Sequence, residues 1–337
     1  MKVLSLFSGI GGFEKAIKNL GHPLELVAFS EIDKYATASY CAVHDVNETL
    51  NLGDITKVDE KGLPKDIDLI TYGFPCQDIS LAGKQKGLFN EDGTQTRSGL
   101  FFEALRIIKE VRPRVAIAEN VKNLTGEKFR PQFEIVLKCL DVAGYNNYWK
   151  VLNAKDYGVP QNRERVFIVS IRKDVDSGSF KFLDGFLLKK KIGDILEAEV
   201  DEKFYLNDAA GLINTLRDDD KTYLSKPFIA ASRGRNPQNP SDRTSGIPTE
   251  QRLEPNRQGI CNALTTVQKD NYLYDGKLRK LTPKECWRLM GFDDEDYKKA
   301  EAVNSNTQLY KQAGNSIVVP VVEHIINALV ECGVLRG

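Results

Sequence analysis

The segment Leu4-Ser-Leu-Phe-Ser-Gly-Ile-Gly-Gly-Phe13 passes from an apolar strand pattern into glycines and then into an amphipathic repeat at Gly12–Leu20. A strand that turns through glycine into a helix lets the backbone approach a ligand closely and presents free amides at a positive helix end. Such a turn is common to α/β proteins, so it identifies a structural unit before it identifies a ligand. The pattern continues outward. Apolar runs at Val3–Phe7, Leu26–Ser30, Ile67–Tyr72, Val115–Ala118 and Val166–Ile171 alternate with helix patterns at Lys34–Val43, Leu100–Val111 and Phe133–Ala143. Continuous apolar strands spaced by helices predict an α/β fold with a mostly parallel sheet covered on both faces. Ligands of such sheets bind at the carboxyl ends of the strands, beside a topological switch point.

The composition fits that fold. The chain has 337 residues, 41% hydrophobic and 28% charged, with 47 basic against 47 acidic residues. A disordered tail, a collagen-like rod and a disulfide scaffold are excluded. Zero formal charge excludes coating of polyanions by bulk charge and leaves room for a local basic face. The amino terminus breaks into glycines too soon for a signal peptide, and no run approaches the roughly 18 apolar residues of a membrane span. The six cysteines are scattered without close pairs, which suits a reducing cytoplasm. With only His22, His44 and His324, neither histidine catalysis nor a metal site is expected.

After about residue 185 the texture changes. From Lys226 to Arg257 there are five prolines, six basic residues and three acids, with little periodicity. Helix patterns return at Pro283–Met290 and Val318–Cys332. The expected organisation is one α/β domain, residues 1–186 and 278–337, interrupted by a smaller irregular domain at 187–277.

Several side chains gather where the strands should end. Glu31, at the end of the second apolar run, can accept both hydroxyls of a ribose. Asp54, in Asn51-Leu-Gly-Asp-Ile-Thr56, is read as following a third strand and could accept from an adenine amine. With the glycine turn these describe a nucleoside pocket, without separating a dinucleotide from a methyl-donor cofactor. In Tyr72-Gly-Phe-Pro-Cys-Gln-Asp-Ile-Ser-Leu-Ala-Gly-Lys84, Cys76 follows an apolar strand and precedes a polar, basic loop. A nucleophilic thiol there would need its ionisation favoured by a helix end or a cation. Glu119 and Asn120 close the next strand, and a carboxyl at such a mouth is costly without a partner. Arg163 and Arg165, two residues apart in Gln161-Asn-Arg-Glu-Arg165, share one strand face.

Taken in order, Phe7-Ser-Gly-Ile-Gly-Gly12, Phe74-Pro-Cys-Gln77, Glu119-Asn-Val121, Gln161-Asn-Arg-Glu-Arg165 and Gln312-Ala-Gly-Asn-Ser316 closely resemble the DNA cytosine-5 methyltransferases. Leu281-Thr-Pro-Lys-Glu-Cys-Trp-Arg-Leu-Met-Gly-Phe292 belongs to the same pattern. The resemblance implies a Rossmann-like S-adenosylmethionine-dependent sheet with an inserted target recognition domain. It implies that the Cys76 thiolate attacks C6 of a flipped-out cytosine and that Glu119 holds or protonates N3. Arg165 would bind O2, Arg163 would support the pocket, and C5 would accept the methyl group. For the cofactor it implies Phe7 at the adenine, Ser8, Gly9, Ile10, Gly11 and Gly12 around the methionine part, and Glu31 at the ribose. Ile32, Asp54 and Ile55 would flank the adenine, and Pro75, Leu100 and Asn315 would complete the pocket. Double-stranded DNA is the implied partner, with Gln77, Ser80, Lys84, Lys86 and Arg97 along the catalytic loop. Arg233, Arg235, Gln238 and Arg243 are the expected base-reading residues of the insert. The family's Thr-Leu pair near the insert's end is replaced by Ala263-Leu264, so Thr265 or Thr266 is expected to supply that contact. The compact form implies a monomeric, cytoplasmic, bacterial or phage-encoded enzyme of restriction–modification type. A transfer-RNA cytosine-5 methyltransferase and a catalytically silent relative are the alternatives.

Overall fold

In a computed structural model, the description covers residues 1–75, 79, 87–88, 94, 96–242, 244, 246–265 and 271–337. The chain runs β1 (Lys2–Leu6), α1 (Gly12–Asn19), β2 (Glu25–Ser30), α2 (Lys34–His44), β3 (Leu69–Tyr72), α3 (Phe101–Val111) and β4 (Val115–Val121). There follow α4 (Arg130–Val142), β5 (Tyr145–Asn153), β6 (Gln161–Asn162) and β7 (Glu164–Arg172). The insert holds α5 (Ala209–Ile213), β8 (Phe228–Arg235), β9 (Glu250–Pro255), β10 (Cys261–Asn262) and β11 (Tyr272–Tyr274), and β12 (Leu278–Lys280) follows directly after its expected end. The chain then closes with α6 (Pro283–Arg288), α7 (Asp294–Glu301), α8 (Asn306–Asn315) and α9 (Val319–Glu331).

The main sheet has the order β2-β1-β3-β4-β7-β5. The first four strands are parallel, β7 runs antiparallel beside β4, and the edge strand β5 pairs antiparallel with β7. Period-two alternation divides their side chains between two cores. Val3, Leu69, Val115 and Val169 pack with α1 and α9 on one face. Leu4, Ile70, Ala116 and Ile168 pack with α3 and α4 on the other. The order reverses around β1, which lies between β2 and β3, so the switch-point crevice opens at the carboxyl ends of these strands.

Three expectations change. The segment before Asp54 is not a third strand: Asn51 makes only an isolated bridge to Phe29, and short 3-10 turns at Glu48–Leu50 and Ile55–Lys57 surround it. Strand β5, absent from the expected set, has the burial pattern of a half-exposed edge strand, so its apolar signal is diluted. The insert, expected to be irregular, carries the antiparallel sheet β12-β11-β8-β9 over its own apolar cluster of Leu216, Phe228, Ala230, Leu253 and Leu278. The stretch Asn306–Glu331 has the length and composition of a membrane span. It is two helices separated at residues 316–318, and their apolar faces lie in the main core.

Candidate active site

Register sets the row of residues at the crevice. Leu6 lies opposite Ser30 and Tyr72, and Tyr72 lies opposite Ala118. One step further along each strand come Glu31, Phe7, Gly73 and Glu119, side by side on the carboxyl edge.

The glycine turn between β1 and α1 holds Phe7, Gly9 and Gly11 at φ values of 52°, 57° and 78°. The left-handed region costs a side-chain-bearing residue such as Phe7 about 1–2 kcal/mol, so surrounding bonds must hold the turn. They do. The amide and hydroxyl of Ser8 both donate to the Ser30 carbonyl at 3.1 Å. The Gly9 amide donates to a Glu31 carboxylate oxygen at 2.8 Å. His44 Nε2 lies 3.1 Å from the Ile10 carbonyl oxygen. Burial pushes that imidazole down to about 3, so the ring is neutral and this nitrogen carries the donated proton. The fully buried Tyr40 and His44 rings fill the space behind Gly11, and Tyr40 stacks on Phe29 with centroids 4.2 Å apart.

Glu31 has one oxygen on the Gly9 amide and the other on the Asp33 amide, each at 2.8 Å. Burial raises its carboxyl above the ordinary range, partly offset by those two amides. Asn51 braces it from behind, accepting the Glu31 and Gly53 amides and donating to the Glu31 carbonyl. Ile32 beside it is 77% exposed, an apolar surface with no protein cover. The Thr56 hydroxyl and amide hold the Asp54 carboxyl below the usual carboxylate range. Ile55 is buried, Pro75 and Leu100 are half-buried, and Asn315 is exposed at the end of α8. A glycine turn at a helix start, two carboxylates and an open apolar side chain form a cradle that fits an adenosine-bearing cofactor.

Glu119 lies across the edge from that cradle. Its carboxylate meets Arg165 at 3.1 Å, with side-chain exposures of 13% and 19%. Burial raises the Glu119 carboxyl despite the opposing pull of Arg165 and Arg163. A carboxyl so raised takes up a proton more readily than an exposed one. Asn120, fully buried, donates to the Phe74 carbonyl at 3.0 Å and accepts the Val121 amide. It thereby ties the end of β4 to the backbone leading into Pro75.

Arg163 lies within electrostatic reach of Glu119 and spends most of its donors on backbone. Its guanidinium is buried and donates to the carbonyls of Leu264, Gly314 and Ser316 at 2.7, 3.1 and 2.7 Å. It thus clamps the insert and the returning carboxyl-terminal segment to β7. Gln161 reinforces the joint, accepting the Leu264 amide and donating to the Leu289 carbonyl. In the insert, Arg235 pairs with Glu254 through Nε and one terminal nitrogen. Arg233, Gln238 and Thr265 are exposed, as is Arg97 at the start of the turn leading to α3. Cys76, Gln77, Ser80, Lys84, Lys86, Arg243 and Thr266 lie outside the described residues. Among the described residues no cluster of His, Cys, Asp and Glu could hold a metal ion.

Sequence reasoning passed over His44 and Asn51. Nothing in their local patterns advertises a bond to a carbonyl 34 residues away or to a glutamate 20 residues away.

The family model for the C-5 cytosine-specific DNA methylases matches residues 1–331. The type II methyltransferase M2.ScrFI of Lactococcus lactis subsp. cremoris is 38% identical, over 93% of this chain and 81% of its own length. The orphan methyltransferase M.SPBetaI of Bacillus phage SPbeta is 34% identical, over 98% of this chain and 97% of its own. Among solved structures, a Dnmt2 methyltransferase from S. pombe superposes with a TM-score of 0.61 at 21% identity, covering 98% of each chain.

Proposed function

Since the chain belongs to the C-5 cytosine-specific DNA methylase family, and so is a DNA cytosine-5 methyltransferase, we propose that it acts through a covalent adduct between Cys76 and C6 of a cytosine rotated out of the duplex. The observation that carries this reading is the Glu119–Arg165 pair, set on the same carboxyl edge as the glycine cradle and one strand from the segment that leads into Cys76.

In this reading S-adenosylmethionine lies in the cradle, its ribose at Glu31 and its adenine between Ile32 and Asp54. When bound it supplies an electrophilic methyl group. The protein's own residues prepare the base. Glu119, with its carboxyl raised by burial, donates a proton toward N3, and Arg165 donates to O2. Both draw electrons from the ring, so thiolate addition at C6 leaves C5 electron-rich. Methylation at C5, loss of the C5 proton and departure of the cysteine then restore the aromatic ring. Asn120 and Arg163 position these groups: the first holds the Phe74 backbone, and the second holds Leu264 and the Gly314–Ser316 turn. Turning the base out costs a few kcal/mol, offset by its new contacts in the pocket.

Transfer of labelled methyl groups to duplex DNA tests the reading. Cys76→Ala is expected to abolish incorporation while S-adenosylmethionine still binds. Undiminished turnover in that variant contradicts the mechanism. Bisulfite sequencing of plasmid from an expressing host would give the site.

A further inference from the structure

Glu14 is the third residue of α1, about 4.5 Å along the helix axis from the Gly11 cap that ends the glycine turn. It is 1% exposed. Its carboxyl faces its own amide, Ser5 on β1 and Tyr40 on α2, yet neither oxygen closes a hydrogen bond among the described residues. The Tyr40 hydroxyl is likewise buried without a partner there, and its ring lies against Gly11. The Ser5 hydroxyl oxygen accepts from Thr71 on β3. The nearby charges are engaged elsewhere. Lys15 is held by Asp293 and Asp296, and Lys18 donates to the His44 carbonyl, acting on Glu14 through space alone. Lys299 pairs with Asp45, Glu323 of α9 accepts from Asn19 at the far end of α1, and His44 is neutral.

An unpartnered carboxyl in the interior is costly, and burial raises Glu14 above the ordinary carboxylate range. The carboxyls already placed at the site are committed: Glu31 to two amides, Asp54 to Thr56 and Glu119 to Arg165. The start of α1 is meanwhile a positive helix end, which repels a cation. A sulfonium held at the glycine turn therefore meets that positive end, and Glu14 is the acidic residue of its first turn. We propose that Glu14 is the counter-charge of this sulfonium: it releases its proton to solvent as the cationic cofactor binds. The cradle thereby prefers S-adenosylmethionine over the neutral thioether left after methyl transfer. At an effective dielectric of about 20, unit charges act across about 10 Å strongly enough to change a binding constant roughly ten-fold. Glu14 is in this sense a specificity residue that touches no reacting atom. The inference rests on the proposed binding of S-adenosylmethionine at the glycine turn.

The test is calorimetric titration of the full chain with S-adenosylmethionine and with S-adenosylhomocysteine, each in two buffers of different ionisation enthalpy. Glu14→Gln keeps the side chain's shape and removes its charge. It is expected to weaken S-adenosylmethionine about ten-fold, to leave S-adenosylhomocysteine unchanged and to lower the proton release that accompanies the first ligand. A merely structural role would weaken both ligands alike. Thermal unfolding gives a second readout. The folded carboxyl is raised, so the free protein loses stability as pH rises above the ordinary 4.5, and the substitution removes that loss. Near pH 8, Glu14→Gln should therefore melt no lower than the unsubstituted protein. Equal weakening of both ligands, an unchanged proton release or a lower melting point overturns the inference alone. Binding of neither ligand by the unsubstituted protein overturns the proposed function, and this inference with it.

Discussion

Alanine at Gly11 and alanine at Gly9 should fail in different ways, because two glycines of one turn face different surroundings. Both are left-handed, at φ 78° and 57°. Holding alanine there costs about 1–2 kcal/mol in either case. At Gly11 the added Cβ would stand 2.0 Å from His44 Nε2 and 2.9 Å from Tyr40 Cε2. Neither ring can withdraw freely, since His44 is bonded to the Ile10 carbonyl and Tyr40 is stacked on Phe29. Crowding of this kind adds about 1–3 kcal/mol, for a total loss of roughly 2–5 kcal/mol. At Gly9 the Cβ meets nothing within 4 Å, so only the backbone cost applies. That Cβ would stand in open space on the turn that Glu31 holds. Denaturant unfolding should therefore show a lower midpoint for Gly11→Ala than for Gly9→Ala at equal slope. Calorimetric titration with S-adenosylmethionine should show Gly9→Ala binding at least ten-fold more weakly despite its near-normal fold. Equal midpoints would refute the steric account of Gly11. Full cofactor affinity in Gly9→Ala would refute the cradle.

Two further outcomes follow from the site. Glu119 is expected to work in its protonated form, and burial raises its carboxyl, so this contribution is lost as pH rises through a value above the ordinary 4.5. In kcat/KM against pH, Glu119→Gln should remove that alkaline limb, and a limb unchanged by the substitution would exclude Glu119 as its source. Arg163→Met strands three carbonyls at the joint of insert and main sheet, at about 1–3 kcal/mol for each one left buried and unpaired. Its unfolding midpoint should fall sharply. Normal stability with lost activity would make Arg163 a pocket residue instead.

The parallel half of the fold was legible because buried strands are continuous apolar runs and their helices are amphipathic. Strands β1 to β4 lie within a few residues of the expected runs for that reason. Edge strand β5 was not legible, since exposed Asn146, Trp149 and Lys150 interrupt its apolar signal. The insert's sheet was hidden for a related reason: β10, β11 and β12 are two or three residues long and sit among turn-forming residues. At the site, residue types at strand ends pointed to Glu31 and Glu119. What they could not give was pairing across the chain. Whether a guanidinium faces a substrate or a neighbour depends on what the fold brings against it. Arg165 meets a carboxylate, Arg163 meets three carbonyls and Arg235 meets Glu254.

Duplex DNA bearing 5-fluorocytosine at the methylated position gives the sharpest test. Fluorine cannot leave as the C5 proton does, so the enzyme should stay bonded to its substrate. Denaturing electrophoresis and mass spectrometry should then find DNA attached through a peptide containing Cys76, only when S-adenosylmethionine is present and not in Cys76→Ala. Complete turnover without an adduct, or attachment through another residue, would contradict the account.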